Sequence, residues 1–204
     1  MPVTELTVDD LARAWSALPA GLLDHMRSVS GLAGELAARW GADPVEAELA
    51  GFLHDVARAQ TPARLLALAG ELGVPVNPVE AEAPILLHGP VGSLQAQQQH
   101  GWVTPAMAQA IRWHSTGRWG MGLLEKVVFL ADKLEPGKNG HYRGLEDLSA
   151  LARTDLDAAI LRYLDWLVNH LLERGQLVHT ATLDAHNWIL LEQQGKTPTP
   201  TITR

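Results

Sequence analysis

The chain has no cysteine among its 204 residues. Disulfides, thiolate metal ligands and cysteine nucleophiles are therefore excluded, and any metal site must be built from His, Asp and Glu. Phe and Tyr are scarce, two of each against seven Trp. The core must rest on Leu, Ala, Val and Trp, and the first two are strong helix formers without β-branching, which favours helices. Positive charge is also in short supply, since 16 Lys and Arg against 23 Asp and Glu leave a formal charge of −7. Nucleic acids and anionic membranes are bound through basic surfaces, so neither is an expected partner. A small phosphorylated ligand held by a few local cations is compatible with this charge. No stretch approaches the roughly 18 uninterrupted apolar residues of a membrane span. The opening MPVTELTVDD lacks an apolar signal-peptide core, and a cytoplasmic protein is expected.

Without repeats or a long linker, the sequence reads as one helical domain. Thr7 with Asp10 caps a first helix carrying Leu11, Ala14, Trp15 and Leu18 on one face. A second helix runs from about Leu22 to Trp40 and stops at Gly41. A third opens at Asp43-Pro44, with Glu46 in the capping-box position, and is predicted to reach about Ala59. Thr61-Pro62 starts a fourth, ending near Gly73. VPVNPVEAEAP, with three prolines, is expected to be a loop before a short helix containing His88. Further helices are predicted from Thr104-Pro105 to about Ser115, over 122–134, over 155–174 and over Leu183–Gln193. The end of the chain, KTPTPTITR, has no core-forming pattern and is expected to be disordered.

Nine histidines are present, and most take an unremarkable place. His100 is expected on a solvated helix end, and His170, His179 and His186 lack acidic neighbours at ligand spacing. His141, in the loop NGHYRG, is within reach of a site without being required there. Others differ. His25 shares a helix face with Val29, Leu32 and Leu36, His114 with Met107, Ala110 and Ile111, and Asp132 with Val128 and Leu124. His54 points away from the apolar stripe of Val45, Leu49, Phe52 and Val56. It lies instead among Ala47, Ala50 and Gly51, small residues that let another helix approach closely, so its helix is buried on two sides. The interior thus receives His25, His54, Asp55, His88 (if its helix faces inward), His114 and Asp132. Burying that many polar groups is costly unless each finds a partner. A divalent metal is one partner, and a hydrogen-bonded structural cluster is the alternative.

The order His25, His54-Asp55, His88, His114, Asp132 resembles the HD-domain superfamily of helical metal-dependent phosphohydrolases. The strings AGFLHDVAR, LLHGPVGS, AIRWHSTGR, MGLLEKVVFLADKLEPGK and TLDAHNWILL are similar to the YqeK-type family, HD-domain hydrolases of symmetrical bis(5′-nucleosyl)-tetraphosphates. The similarity runs from about His25 to Leu191. It implies an all-α fold, a single HD-domain helical bundle over residues 1–194 followed by the tail 195–204. It also implies two divalent metal ions, iron first. The His and carboxylate ligands equally suit Mn, Co, Ni or Zn. The family pattern puts His25, His54, Asp55 and Asp132 on one ion and Asp55, His88 and His114 on the other, with Asp55 shared. Two such ions lower the pKa of a water between them and neutralise charge on the attacked phosphoryl group, so that diadenosine tetraphosphate is cut into two ADP. A small dinucleoside polyphosphate is the implied partner, and a homodimer is compatible with this reading.

Because the protein is acidic, local cations must meet the substrate. Arg58, Arg112, Arg118 and Lys133 lie beside the ligand motifs, with Lys126, Lys138 and Arg143 behind them. Arg118 and Lys133 join His54 and Asp55 as expected catalytic residues, and Ser115 and Thr116 offer hydroxyls to a phosphate. Glu135-Pro136-Gly137 is read as a helix end. Departures from the family pattern fall on phosphate contacts rather than on metal ligands. Arg58 stands where Lys is expected, which changes hydrogen-bond geometry. Lys138-Asn139 follow EPG in place of Arg, and His186 stands in DAHN where Arg is commoner. Two other functions fit the same residues: an HD-type hydrolase of another nucleotide, such as a nucleoside di- or triphosphate or an alarmone, and a metal- and nucleotide-binding regulatory module without turnover.

Overall fold

The structure is a computed structural model that describes residues 7–138, 142 and 144–196. His141, Arg143 and the end of the chain from residue 197 lie outside the described residues, as does the Lys138 side chain. The described residues form eleven α-helices and no strands: α1 Val8–Ala14, α2 Ala20–Trp40, α3 Pro44–Leu53, α4 Pro62–Glu71, α5 Pro78–Glu82, α6 His88–Gln99, α7 Pro105–Trp113, α8 Leu123–Leu134, α9 Leu145–Ala152, α10 Leu156–Glu173 and α11 Thr180–Gln193. The all-α expectation holds. Among the described residues no helix is long and apolar enough to cross a membrane.

Most helix starts follow from their capping residues. Thr7 and Asp10 form the predicted capping box on α1, while Asp43, Thr61 and Thr104 accept hydrogen bonds from the first-turn amides of α3, α4 and α7, each followed by a proline. Gly41 ends α2 at φ 83°, a left-handed conformation that suits glycine. Three expectations need correction. The α3 helix stops at Leu53, not near Ala59, and residues 54–59 continue as turns closed by Val56 N–H to Leu53 O and Arg58 N–H to Asp55 O. Asn77 turns part of the expected proline-rich loop into α5 by building a capping box with Glu80. The helix holding His88 is not short: α6 begins at His88 and runs for 12 residues. In addition, α9 forms over LEDLSALA, where no helix was expected.

The core is made by α2, α3, α7 and α8, where Met26, Val29, Phe52, Leu53, Met107, Ile111, Val128 and Phe129 are fully buried. Each such side chain contributes roughly 1.5–3 kcal/mol of burial free energy. The small face of α3 does what its composition predicts. A Cβ on Gly51 would lie 3.0 Å from Ala33 Cβ and 3.1 Å from Ser30 Cα, so α2 and α3 approach backbone to backbone. A second apolar cluster of Leu65, Leu68, Leu87 and Val91 seats α4 against α6. Lys126, on α8, pairs with Asp157 at 2.8 Å and Glu192 at 2.9 Å, fastening α10 and α11 to the core.

Candidate metal centre

Three of the four inward histidines occupy the same local position. His54 is the C-cap of α3, His114 the C-cap of α7, and His88 the C-cap of the 3-10 turn Pro84–Leu87. The last carbonyls of a helix have no intrahelical donor, and here a histidine ring supplies one. Nδ1–H of His54 donates to Gly51 O at 2.6 Å, that of His114 to Ile111 O at 2.8 Å, and that of His88 to Ile85 O. Because a carbonyl only accepts, Nδ1 must carry the hydrogen. In the neutral ring Nε2 is then a bare lone pair aimed inward. The fourth, His25 on α2, is held differently: its Nδ1 lies 3.2 Å from the Glu135 carboxylate.

The inward atoms form two groups that meet at Asp55. In the first, His25 Nε2 is 3.2 Å from His54 Nε2, 3.5 Å from Asp55 Oδ2 and 3.3 Å from Asp132 Oδ1. His54 Nε2 is 3.4 Å from each of the same two oxygens. In the second, His88 Nε2 and His114 Nε2 are 2.9 Å apart, and Asp55 Oδ1 is 3.0 Å from the former and 3.5 Å from the latter. Donors bound at about 2.1 Å around one ion are separated by about 3.0–3.4 Å in octahedral or tetrahedral arrangement. The separations in the two groups, 2.9–3.5 Å, fall close to that spacing. His88 and His114 also set two lone pairs face to face at 2.9 Å, which only a cation or a shared proton between them makes favourable. The donors present therefore fit two divalent ions: His25, His54, Asp55 and Asp132 would hold one, and Asp55, His88 and His114 the other. The structure thus brings together the six residues that the resemblance names; the division between two ions is the one the resemblance implies, and His54, His114 and Asp132 also lie within 4.8 Å of one another.

The electrostatics suit a cation. Burial pushes the Asp55 carboxyl upward, but contacts with His54, His114 and His88 outweigh it and hold the group well below the usual carboxylate range. Burial lowers His54, yet the carboxylates of Asp55 and Asp132 reverse this and raise it to about 9 in the metal-free protein. Burial dominates at His114, pushing it to about 3, so its inward lone pair stays bare.

The remaining sequence candidates separate in space. Ser115 reaches the second group, with its Oγ 3.2 Å from His88 Nε2 and 3.1 Å from His114 Nε2. Lys133 touches the first through an Nζ–Asp132 Oδ2 contact of 2.7 Å, its ammonium lying over the Phe129 ring. Arg112 shares a small cavity with Ser115 and Thr116 and packs over Trp113, and the Thr116 hydroxyl donates to Gly117 O at 2.9 Å. Arg58 is exposed. Arg118 has a partner of its own, a forked pair with buried Glu125 at 2.6 and 2.7 Å, and Glu125 also caps the start of α8. Lys126 is engaged with α10 and α11. Of the other histidines, His100 ends α6 stacked on Trp102, and His170 stacks on Trp166. His186 meets Asp165 at 2.9 Å. His179 is buried, caps α11 and lies 2.9 Å from Asn77 Nδ2 and 3.5 Å from Glu80. One residue taken only for a helix end does more: Glu135, buried at the end of α8, orients His25.

The comparisons agree with this geometry. Residues 22–137 match the HD domain family. A protein of Halalkalibacterium halodurans named bis(5′-nucleosyl)-tetraphosphatase, symmetrical, is 36% identical over 170 residues, covering 83% of this chain and 89% of that protein. A Bacillus subtilis protein of the same name is 34% identical, over 81% of this chain and 88% of its own. Among solved structures, a predicted HD superfamily hydrolase from Clostridium acetobutylicum, described as involved in NAD metabolism, superposes with a TM-score of 0.83. It is 28% identical and the match covers 91% of this chain and 95% of the other. With its histidines and aspartates gathered at the junction of five helices, and with these relatives matched along most of their length, the chain belongs to the HD domain family.

Proposed function

We propose that the protein hydrolyses diadenosine tetraphosphate symmetrically, releasing two ADP, at a centre of two divalent ions shared through Asp55. The observation that carries this reading is the placement of Asp55, whose Oδ2 faces His25 and His54 while its Oδ1 faces His88 and His114. The names of the relatives from H. halodurans and B. subtilis support the substrate and the symmetrical cut. Iron is the proposed metal, with Mn, Co, Ni and Zn compatible with the same nitrogen and oxygen donors.

When bound, such ions supply Lewis acidity to a phosphoryl oxygen and acidify coordinated water toward neutral pH. The chain supplies the rest. Gly51, Ile85 and Ile111 fix three imidazoles through their carbonyls, and Glu135 fixes the fourth, so the donors are oriented before metal arrives. Lys133 holds Asp132 in place and keeps a positive charge beside the phosphate site. The Ser115 hydroxyl lies within 3.2 Å of two ligand nitrogens, where it is placed to donate to a bound phosphate oxygen. Neutralising the polyphosphate is assigned to Arg112, which shares a cavity with Ser115 and Thr116, and to the exposed Arg58, three residues after Asp55.

The test is product analysis on purified protein with its metals quantified. About two metals per chain and ADP as sole product from diadenosine tetraphosphate are expected. AMP plus ATP would overturn the symmetrical cut, and full metal occupancy without turnover of this substrate would overturn the substrate assignment.

A further inference from the structure

A cleft of about 500 Å³ opens beside the second group of ligands, between the Pro84–Leu87 turn and the α10–α11 pair. That volume lies in the range of about 300–1,000 Å³ typical of small-ligand pockets. Its inner end is polar. Ser115 and Thr116 line it there, and Ser115 Oγ is itself 3.2 and 3.1 Å from the inward nitrogens of His88 and His114. Its walls are apolar, with Ile85 and Leu86 on one side and Leu167 and Leu171 on the other. Tyr163 stands between wall and centre, its ring 5.8 Å from the Lys133 ammonium that contacts Asp132.

The charge of the lining decides what fits. Among the described residues no Arg or Lys lines the cleft, and the one carboxylate that does, Glu82, would repel phosphate. A phosphate group placed here would give up water without gaining a cation, which is costly. A flat, uncharged heterocycle with hydroxyls at one end meets no such penalty. It buries its faces against leucine and isoleucine while its phosphates remain at the metal centre. By contrast, the larger cleft of about 700 Å³ near Trp15, Leu18 and Gln95 includes none of the six candidate ligands.

We propose that the cleft between Leu86 and Leu167 is the nucleoside subsite of the metal centre, taking one adenosine end of the substrate and rejecting nucleotides with a further phosphate on the ribose. The proposal rests on the metal-centre reading above and adds to it a place for the base and a selection rule. The buried His179 at the far end lines the cleft while joining Asn77 of the α5 cap to the start of α11, so it fixes the spacing between the two walls.

The test compares equilibrium binding of ADP and of inorganic pyrophosphate to the metal-loaded protein by calorimetry. Leu167→Trp fills the cleft from the half-buried face of α10, and Leu86→Trp does so from the opposite wall. In each variant the dissociation constant for ADP is expected to rise about tenfold or more, with that for pyrophosphate changed less than about twofold and metal content unaltered. Equal ADP affinity in wild type and both variants would overturn the subsite. A third titration uses adenosine 3′-phosphate 5′-diphosphate, which is expected to bind wild type at least about tenfold more weakly than ADP; equal affinity would overturn the selection rule. These readouts do not depend on turnover. If wild type binds ADP in the cleft but does not produce it from diadenosine tetraphosphate, the proposed reaction fails and the subsite stands.

Discussion

Replacing Gly89 probes how the second group of candidate ligands is held. The residue follows His88 in the first turn of α6, and a Cβ placed there would lie 2.6 Å from the Arg112 carbonyl oxygen and 3.4 Å from that of Ile111. Ordinary contact begins near 3.4 Å, so Gly89→Ala demands that α6 and α7 separate by about 0.8 Å, and both sides of the contact are backbone. The same two helices carry His88 and His114, and productive metal geometry tolerates displacements of only about 0.5 Å. We expect a loss of about 1–3 kcal/mol in unfolding free energy, seen as a fall in Tm of about 2–12 °C for a chain of this size. Metal content should drop toward one ion per chain. Gly34→Ala is the control. Its Cβ would meet no backbone, only the Glu48 side chain at Oε1 (2.6 Å) and Cγ (2.7 Å), which a change of the Glu48 rotamer moves aside, and alanine is favoured over glycine within a helix by about 1 kcal/mol. That variant should match or exceed wild type in stability. Denaturation curves with metal analysis decide the matter. A Gly89→Ala protein within about 0.5 kcal/mol of wild type, with both metals, would refute the reasoning.

Removing the Glu135 carboxylate loosens His25 without touching a ligand. Metal affinity should fall about tenfold in Glu135→Gln and up to about 100-fold in Glu135→Ala, measured by competition with a chelator; unchanged affinity in both would show that His25 needs no support. The raised pKa of His54, about 9 in the metal-free protein, makes metal entry a proton-releasing event at any lower pH. Calorimetry near pH 7.5 in two buffers of different ionisation enthalpy should report about one proton released per chain from this residue, and affinity should climb as pH rises toward 9. No release would contradict the assignment. For the metal-free fold, the same shift gives His54 a stabilising contribution that is fully present below its ordinary value of 6.5 and is lost as pH rises through about 9.

Of the six candidate ligands, His25, His114 and Asp132 were legible because each stands where an apolar helix face should continue, and the small residues around His54 announced a second packed face for the His54-Asp55 pair; His88 rested on the family resemblance. Helix starts were legible for a similar reason: Thr7, Asp43, Thr61 and Thr104 are local signals that act on amides two or three residues away. The early stop of α3 was not legible, since residues 54–59 contain no glycine or proline and only the ring of His54, closing on Gly51 O, marks the end. The recurrence of that device at His88 and His114 is visible once the helices are known, as a histidine three residues after the carbonyl it caps. Glu135 escaped notice because its partner His25 is 110 positions away, beyond any local pattern. Arg118 illustrates the converse: its position beside a ligand motif gave no hint that Glu125, seven residues on, would take its guanidinium.

The central claim is that one carboxylate serves two ions, and Asp55 tests it most directly. The measurement is metal content and ADP formation by Asp55→Asn beside wild type, the variant having the same shape without the charge. The account predicts about two metals per chain in wild type, loss of both in the variant, and loss of turnover with them. A variant that keeps both metals and still releases ADP would contradict it.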